Sequence, residues 1–204
     1  MHGVKVNKSL VLAILFFIIP IVLWADDHPV TCSGDITTAL NSALTAASSG
    51  DTVTIGAGTC NSNGVTVTDK QLTIQGAGQG VTNLTANSIP IFTITRESSS
   101  NANWRITGMT ITGAQTADTI IMLWGAYGNA GTNDGWRIDH LTLNFPDISG
   151  YGIHVYGPTW GLIDNNIITF GNGLLFNCQS QLAGEDGATI DNLWGKYLLS
   201  QPLE

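Results

Sequence analysis

Charged side chains recur at fixed points along this chain and are the first candidates for chemistry. Asp139, Asp164 and Asp191 each follow the isoleucine of a related phrase: Trp136-Arg-Ile-Asp-His, Gly161-Leu-Ile-Asp-Asn and Ala188-Thr-Ile-Asp-Asn. Two carboxylates flanking a glycosidic bond are what hydrolysis of that bond requires. Repetition argues against that role here, because a catalytic pair arises at one place whereas a turn residue returns in every unit. Turn chemistry explains Asn165, Asn166 and Asn192 in the same way, since short amide side chains bond nearby backbone groups. Arg105 and Arg137 occupy equivalent phrase positions and read as a structural or solvated pair. His154 would act as a base only with a carboxylate or a substrate proton in reach. Glu185-Asp186, in a Gly-flanked loop, needs a further ligand before it could hold a cation. No catalytic residue and no metal site is assigned on these grounds.

The second candidate is a column of aromatic and polar residues. Three runs align as Ile120-Ile-Met-Leu-Trp-Gly125, Gly152-Ile-His-Val-Tyr-Gly157 and Gly173-Leu-Leu-Phe-Asn-Cys178. Period-two alternation turns Ile121, Ile153 and Leu174 inward, so Met122, His154 and Leu175 face outward, as do Trp124, Tyr156 and Asn177. Stacked strands lie about 4.8 Å apart. Trp124 and Tyr156 one above the other, with Asn177 and His154 beside them, would therefore form a platform for sugar rings.

Both candidates depend on units that stack. Ile74, Ile106, Ile138, Ile163 and Ile190 hold the same place in their phrases, at spacings of 32, 32, 25 and 27 residues. A unit of that length, with short β-type runs broken by Gly, Asn and Asp, cannot bury its apolar face alone and must wind into a solenoid. Within the unit that begins at Trp136, three strands are expected: 136–138, 141–145 and 152–156. They are joined by Asp139-His140 and by a loop at 146–150. Ahead of the repeats, Ile36, Ala39, Leu40, Ala43, Leu44 and Ala47 recur at helical spacing between Asp35 and Gly50. This predicts a short amphipathic helix laid over the open N-terminal end of the core.

Composition narrows the partners. The 204 residues carry 24 glycines and only 11% charged residues, with a formal net charge of −8. Lys5 and Lys8 precede an apolar stretch, Leu10 to Ala25, and then Asp26-Asp27. That order reads as a secretory signal over residues 1–25, or as a retained membrane anchor. Loss of its two lysines moves the charge to −10 and leaves Lys70, Arg96, Arg105, Arg137 and Lys196 scattered along the chain. That is no basic stripe, and nucleic acid is excluded as a partner. In an oxidising compartment Cys32 and Cys60 form the natural disulfide, leaving Cys178 as an apolar filler. The expected organisation is a cap over 26–50 and coils over 51–204. Its abrupt end at Gln201-Pro-Leu-Glu204 reads as a truncated or frame-shifted piece of a longer solenoid.

Residues 32 to 195 resemble the N-terminal part of a pectate-lyase-like, right-handed parallel β-helix protein. The resemblance is carried by Ser49-Gly-Asp-Thr-Val-Thr-Ile-Gly-Ala-Gly-Thr-Cys60, by Leu72-Thr-Ile-Gln-Gly-Ala-Gly78, and by turn asparagines at 165 and 192. It implies an all-β fold and a sugar-binding groove over one strand face. It also implies, for an enzyme, an Arg or Lys base with a carboxylate cluster holding Ca²⁺. Ca²⁺ is suggested by the resemblance alone. The hydrolase signatures Gly-His-Gly and Arg-Ile-Lys are absent, and the only Asp-Asp lies at the signal boundary. The expectation is therefore an exported β-helix module that binds a polysaccharide or cell-surface glycan through Trp124, Tyr156, His154 and Asn177. The alternative is a polysaccharide lyase or glycoside hydrolase whose catalytic coils are incomplete in this chain.

Overall fold

The computed structural model describes residues 25–88, 90–95, 103–113, 119–124, 133–145, 151–156, 159–170, 178–179 and 187–191. They wind as a parallel β-solenoid. An opening turn holds β1 (Asp27–Val30), β2 (Gly34–Asp35) and the helix α1 (Thr37–Ala46). The next coil holds β3 (Thr52–Ile55), β4 (Gly58–Ser62) and β5 (Val65–Thr68), and the one after it β6 (Thr73–Gly76), β7 (Thr82–Ala86) and β8 (Phe92–Thr95). Then follow β9 (Arg105–Thr112) with β10 (Thr119–Trp124), and β11 (Asn133–Phe145) with β12 (Tyr151–Tyr156). The last described strands are β13 (Thr159–Asp164), β14 (Ile167–Phe170), β15 (Cys178–Gln179) and β16 (Gly187–Asp191).

Every pairing is parallel and joins one coil to the next. One ladder runs β1-β3-β6-β9-β11-β13-β16, and a second runs β2-β4-β7-β9-β11-β14, with β9 and β11 turning a corner to serve both. A separate sheet stacks β5, β8, β10, β12 and β15. The five phrase isoleucines are direct register partners, Ile74 to Ile106 to Ile138 to Ile163 to Ile190. Val53 extends their column toward the N-terminus. Those with described side chains, Ile74, Ile106, Ile138 and Ile163, are buried. Alternation sets the sides of each strand: Val65 and Val67 are buried while Thr66 and Thr68 are exposed. Sequence pattern alone does not mark β4 and β7, because their buried positions, Cys60 and Ser62 in one and Thr82, Leu84 and Ala86 in the other, mix small and polar side chains with the apolar ones.

The corner within β9 and β11 needs a left-handed residue. Gly108, His140 and Asn165 occupy it in three successive coils, with φ of 71°, 51° and 53°. Gly meets that demand without a Cβ penalty, and Asn and His are among the side chains that tolerate it best.

The N-terminal end is closed as the helical periodicity predicts. Ile36, Leu40, Leu44 and Ala47 are buried in one cluster with Val30 and Ile55, and α1 packs on β1 and β5. Asp35 stands one residue before the helix-capping position, and its Oδ1 accepts the Thr37 N–H at 2.8 Å and the Thr37 hydroxyl at 2.6 Å. The C-terminal carbonyls are met from the next coil: Lys70 Nζ donates to the carbonyls of Leu44, Thr45 and Ala47 at 2.7–2.9 Å. A cation at this end also offsets the helix dipole. The Cys32–Cys60 disulfide ties the opening turn to the first coil across a sequence separation of 28. A loop of that size contributes about 3.5 kcal/mol on chain-entropy grounds.

Asp51 fastens the same end. Its carboxylate accepts the backbone N–H of Asp26 at 2.9 Å and of Ser48 at 2.7 Å, and lies 3.0 Å from His28 Nε2. The Asp26 amide, then His28 and the Ser48 amide, hold its pKa down to about 2 against burial. A carboxyl lowered in the folded state stabilises fully above its unfolded value of 3.8, and that contribution is lost as pH falls toward about 2. Asp51→Asn should therefore be less stable than the parent at neutral pH, with the difference shrinking as pH drops through that window. Denaturant titrations at pH 7, 4 and 2.5 measure it, and a gap that stays constant with pH would contradict the assignment.

Candidate functional site

The sheet that stacks β5, β8, β10, β12 and β15 carries the aromatic candidates. On its outer face Thr66 and Thr68 are exposed and Thr93 and Thr95 half-buried, each rung directly over the next. The hydroxyls of Thr68 and Thr95 lie 2.8 Å apart. The same register continues from Thr93 to Met122 to His154, and it pairs Trp124 with Tyr156. Ile121 and Ile153 are buried, as the alternation requires. The side chains of Met122, Trp124, His154 and Tyr156 lie outside the described residues, so what joins them here is backbone register. The third member of the column is corrected: Tyr156 pairs with Gln179 and Val155 with Cys178. Asn177, itself outside the described residues, stands two positions before the residue that pairs with Tyr156. A two-residue slip keeps the parity of the strand, so Gln179 takes its place in the register.

The repeated charges form a zipper along another ladder. Arg105 Nε and Nη2 donate to the two carboxylate oxygens of Asp139 at 2.7 and 2.5 Å, and Arg137 does the same to Asp164 at 2.8 and 2.6 Å. Each guanidinium thus reaches the aspartate of the following coil. Asp139 is fully buried, while both arginine side chains remain about 40% exposed. Burial pushes the Asp139 carboxyl up, but hydrogen bonds from Arg105 and His140 and the two guanidinium charges outweigh it and hold it below the usual carboxylate range. His140 Nδ1 lies 2.7 Å from the same carboxylate. These aspartates do not fit a Ca²⁺ site, because their oxygens are already taken by arginine. Among the described residues no group of three or more His, Cys, Asp or Glu side chains could hold a metal. Asp191 continues the aspartate register, but its side chain, like Glu185-Asp186, lies outside the described residues.

Two structural devices complete the scaffold. Asn166 is fully buried; it accepts the Leu141 N–H on Oδ1 and donates from Nδ2 to the Ile138 carbonyl, both at 2.9 Å. The turn asparagine thus brackets the corner of the preceding coil. Asn165 Nδ2 instead donates to Asp164 at 2.7 Å, and Asn192 lies outside the described residues. Trp104 and Trp136 stack with ring centroids 5.5 Å apart and planes within 8°. Their equivalent phrase positions, Trp104-Arg-Ile and Trp136-Arg-Ile, are the signal for this stack in the sequence.

Among the described residues no helix is long and apolar enough to cross a membrane; residues 1–24 are not among them. The Cys32–Cys60 disulfide suits a non-reducing, extracytoplasmic environment. Comparison of the chain with protein-family models, with curated proteins and with solved structures finds no match in any of the three.

Proposed function

We propose that this protein is an exported β-solenoid that binds polysaccharide along the outer face of the β5-β8-β10-β12-β15 sheet. The observation that supports it is the direct register of Trp124 on Tyr156, at the end of a face that begins with exposed threonine rungs. Aromatic faces repeated at coil spacing suit stacking on successive sugar rings, and hydroxyls beside them suit hydrogen bonds to sugar hydroxyls. His154, in register with Met122, and the position taken by Gln179 would supply further polar contacts. The first 25 residues serve export in this reading, and the resemblance to pectate-lyase-like β-helices supplies the analogy for a groove on this sheet.

Retention on immobilised glycans without turnover is the expected behaviour. Trp124→Ala with Tyr156→Ala should weaken it about tenfold or more, the loss of two stacking contacts of about 1 kcal/mol each and the area they cover. A double variant that binds like the parent would remove this face from consideration. A lyase or hydrolase of the same fold is the second reading. It would show itself by unsaturated uronate absorbance or by new reducing ends.

A further inference from the structure

We infer that the ligand of this face is an uncharged polysaccharide, held without a bridging cation; the inference rests on the binding reading above. After residue 25 the chain has five basic residues, Lys70, Arg96, Arg105, Arg137 and Lys196, against fifteen acidic ones. Three of the five are already committed away from the sheet. Lys70 closes the helix C-terminus, and Arg105 and Arg137 are locked on Asp139 and Asp164 in the neighbouring ladder. The face itself has Thr66, Thr93, Met122 and His154 in one register and Thr68 with Thr95 in the next. The same parity brings in Trp124, Tyr156 and Gln179. None of these is Lys, Arg, Asp or Glu. In the segments that flank the strands, Arg96 stands beside Glu97, while Asp118 and Asp147 precede β10 and β12.

A polyuronate would bring one carboxylate per sugar to such a face. Among the described residues of this face no Lys or Arg would meet it, and the chain's net charge of −8 adds repulsion, so both terms oppose binding. A calcium bridge would need protein carboxylates beside the ligand's own, and the described residues of the face include none. A neutral glycan meets no such penalty. Its rings can stack and its hydroxyls can exchange hydrogen bonds with threonine. Running along the solenoid axis, it would meet a new rung about every 4.8 Å, a distance comparable to one pyranose unit.

The test is affinity electrophoresis of the disulfide-intact protein through mixed-linkage β-glucan, galactomannan, polygalacturonate and alginate, each with Ca²⁺ and with EDTA. Retardation by a neutral polymer at an apparent Kd at least about tenfold below that for either polyuronate, insensitive to EDTA, is the expected result. Equal or stronger retardation by polygalacturonate or alginate would overturn the neutral-ligand inference while leaving the glycan-binding reading intact. No retardation by any polymer would remove both. Thr66→Lys with Thr93→Lys, on exposed and half-buried rungs that tolerate a long side chain, should gain polygalacturonate binding that fades with salt. Failure to gain it would show that the charge of this face does not select the ligand.

Discussion

Asn166→Ala should lower the stability of the solenoid by about 2–5 kcal/mol, because two buried backbone groups lose their partners at once and each such loss costs about 1–3 kcal/mol. The groups are the Leu141 N–H and the Ile138 carbonyl, on either side of the left-handed corner at His140. Asn166→Asp separates the two halves of the bracket. A carboxylate still accepts from Leu141 but meets the Ile138 carbonyl with a lone pair, so this near-isosteric change should also destabilise. Denaturant unfolding of the three proteins at neutral pH measures it. If the aspartate variant were as stable as the parent, the amide would not be acting as a two-ended bracket.

Trp136→Ala should cost about 3–5 kcal/mol, the range for removing a large buried aromatic. Trp136 is almost fully buried, stacked on Trp104, and its ring lies over the backbone of Gly161, its register partner in the next coil. A Cβ placed on Gly161 would sit 2.0 Å from the indole carbons. Neither a strand backbone nor a stacked indole moves easily, so Gly161→Ala should cost about 1–3 kcal/mol by overpacking. In the Trp136→Ala background the same substitution meets empty space and should cost little. A double-mutant cycle therefore has a coupling energy well above the ~0.5 kcal/mol expected of independent sites. Additive losses would mean that Gly161 is not there to admit the ring.

The sequence by itself determined the winding. A solenoid returns one inward position in every coil, so an isoleucine repeating in a related phrase marks both the unit and its register, and Ile74, Ile106, Ile138, Ile163 and Ile190 are direct partners. The capping helix and the Cys32–Cys60 bridge were legible for similar reasons, one from helical spacing and one from the expectation of an oxidising compartment. The pairing of Trp124 with Tyr156 followed from aligning two strands of equal length and alternation.

Tertiary structure alone decided which side chains meet across coils. Arg105 finds Asp139 and Arg137 finds Asp164 at separations of 34 and 27 residues, while Lys70 reaches back 23 to 26 residues to the helix carbonyls. No local pattern encodes such a partner, because the separation changes with every loop length while the rung spacing does not. The shift from Asn177 to Gln179 has the same origin: the segment that returns the chain to this sheet differs in length from coil to coil, and local alternation sets only parity. Whether repeated charges are paired or available is likewise a matter of who lies one coil away. That is why Asp139, an acid–base candidate by residue type, proves to be the buried anchor of two arginines and a histidine.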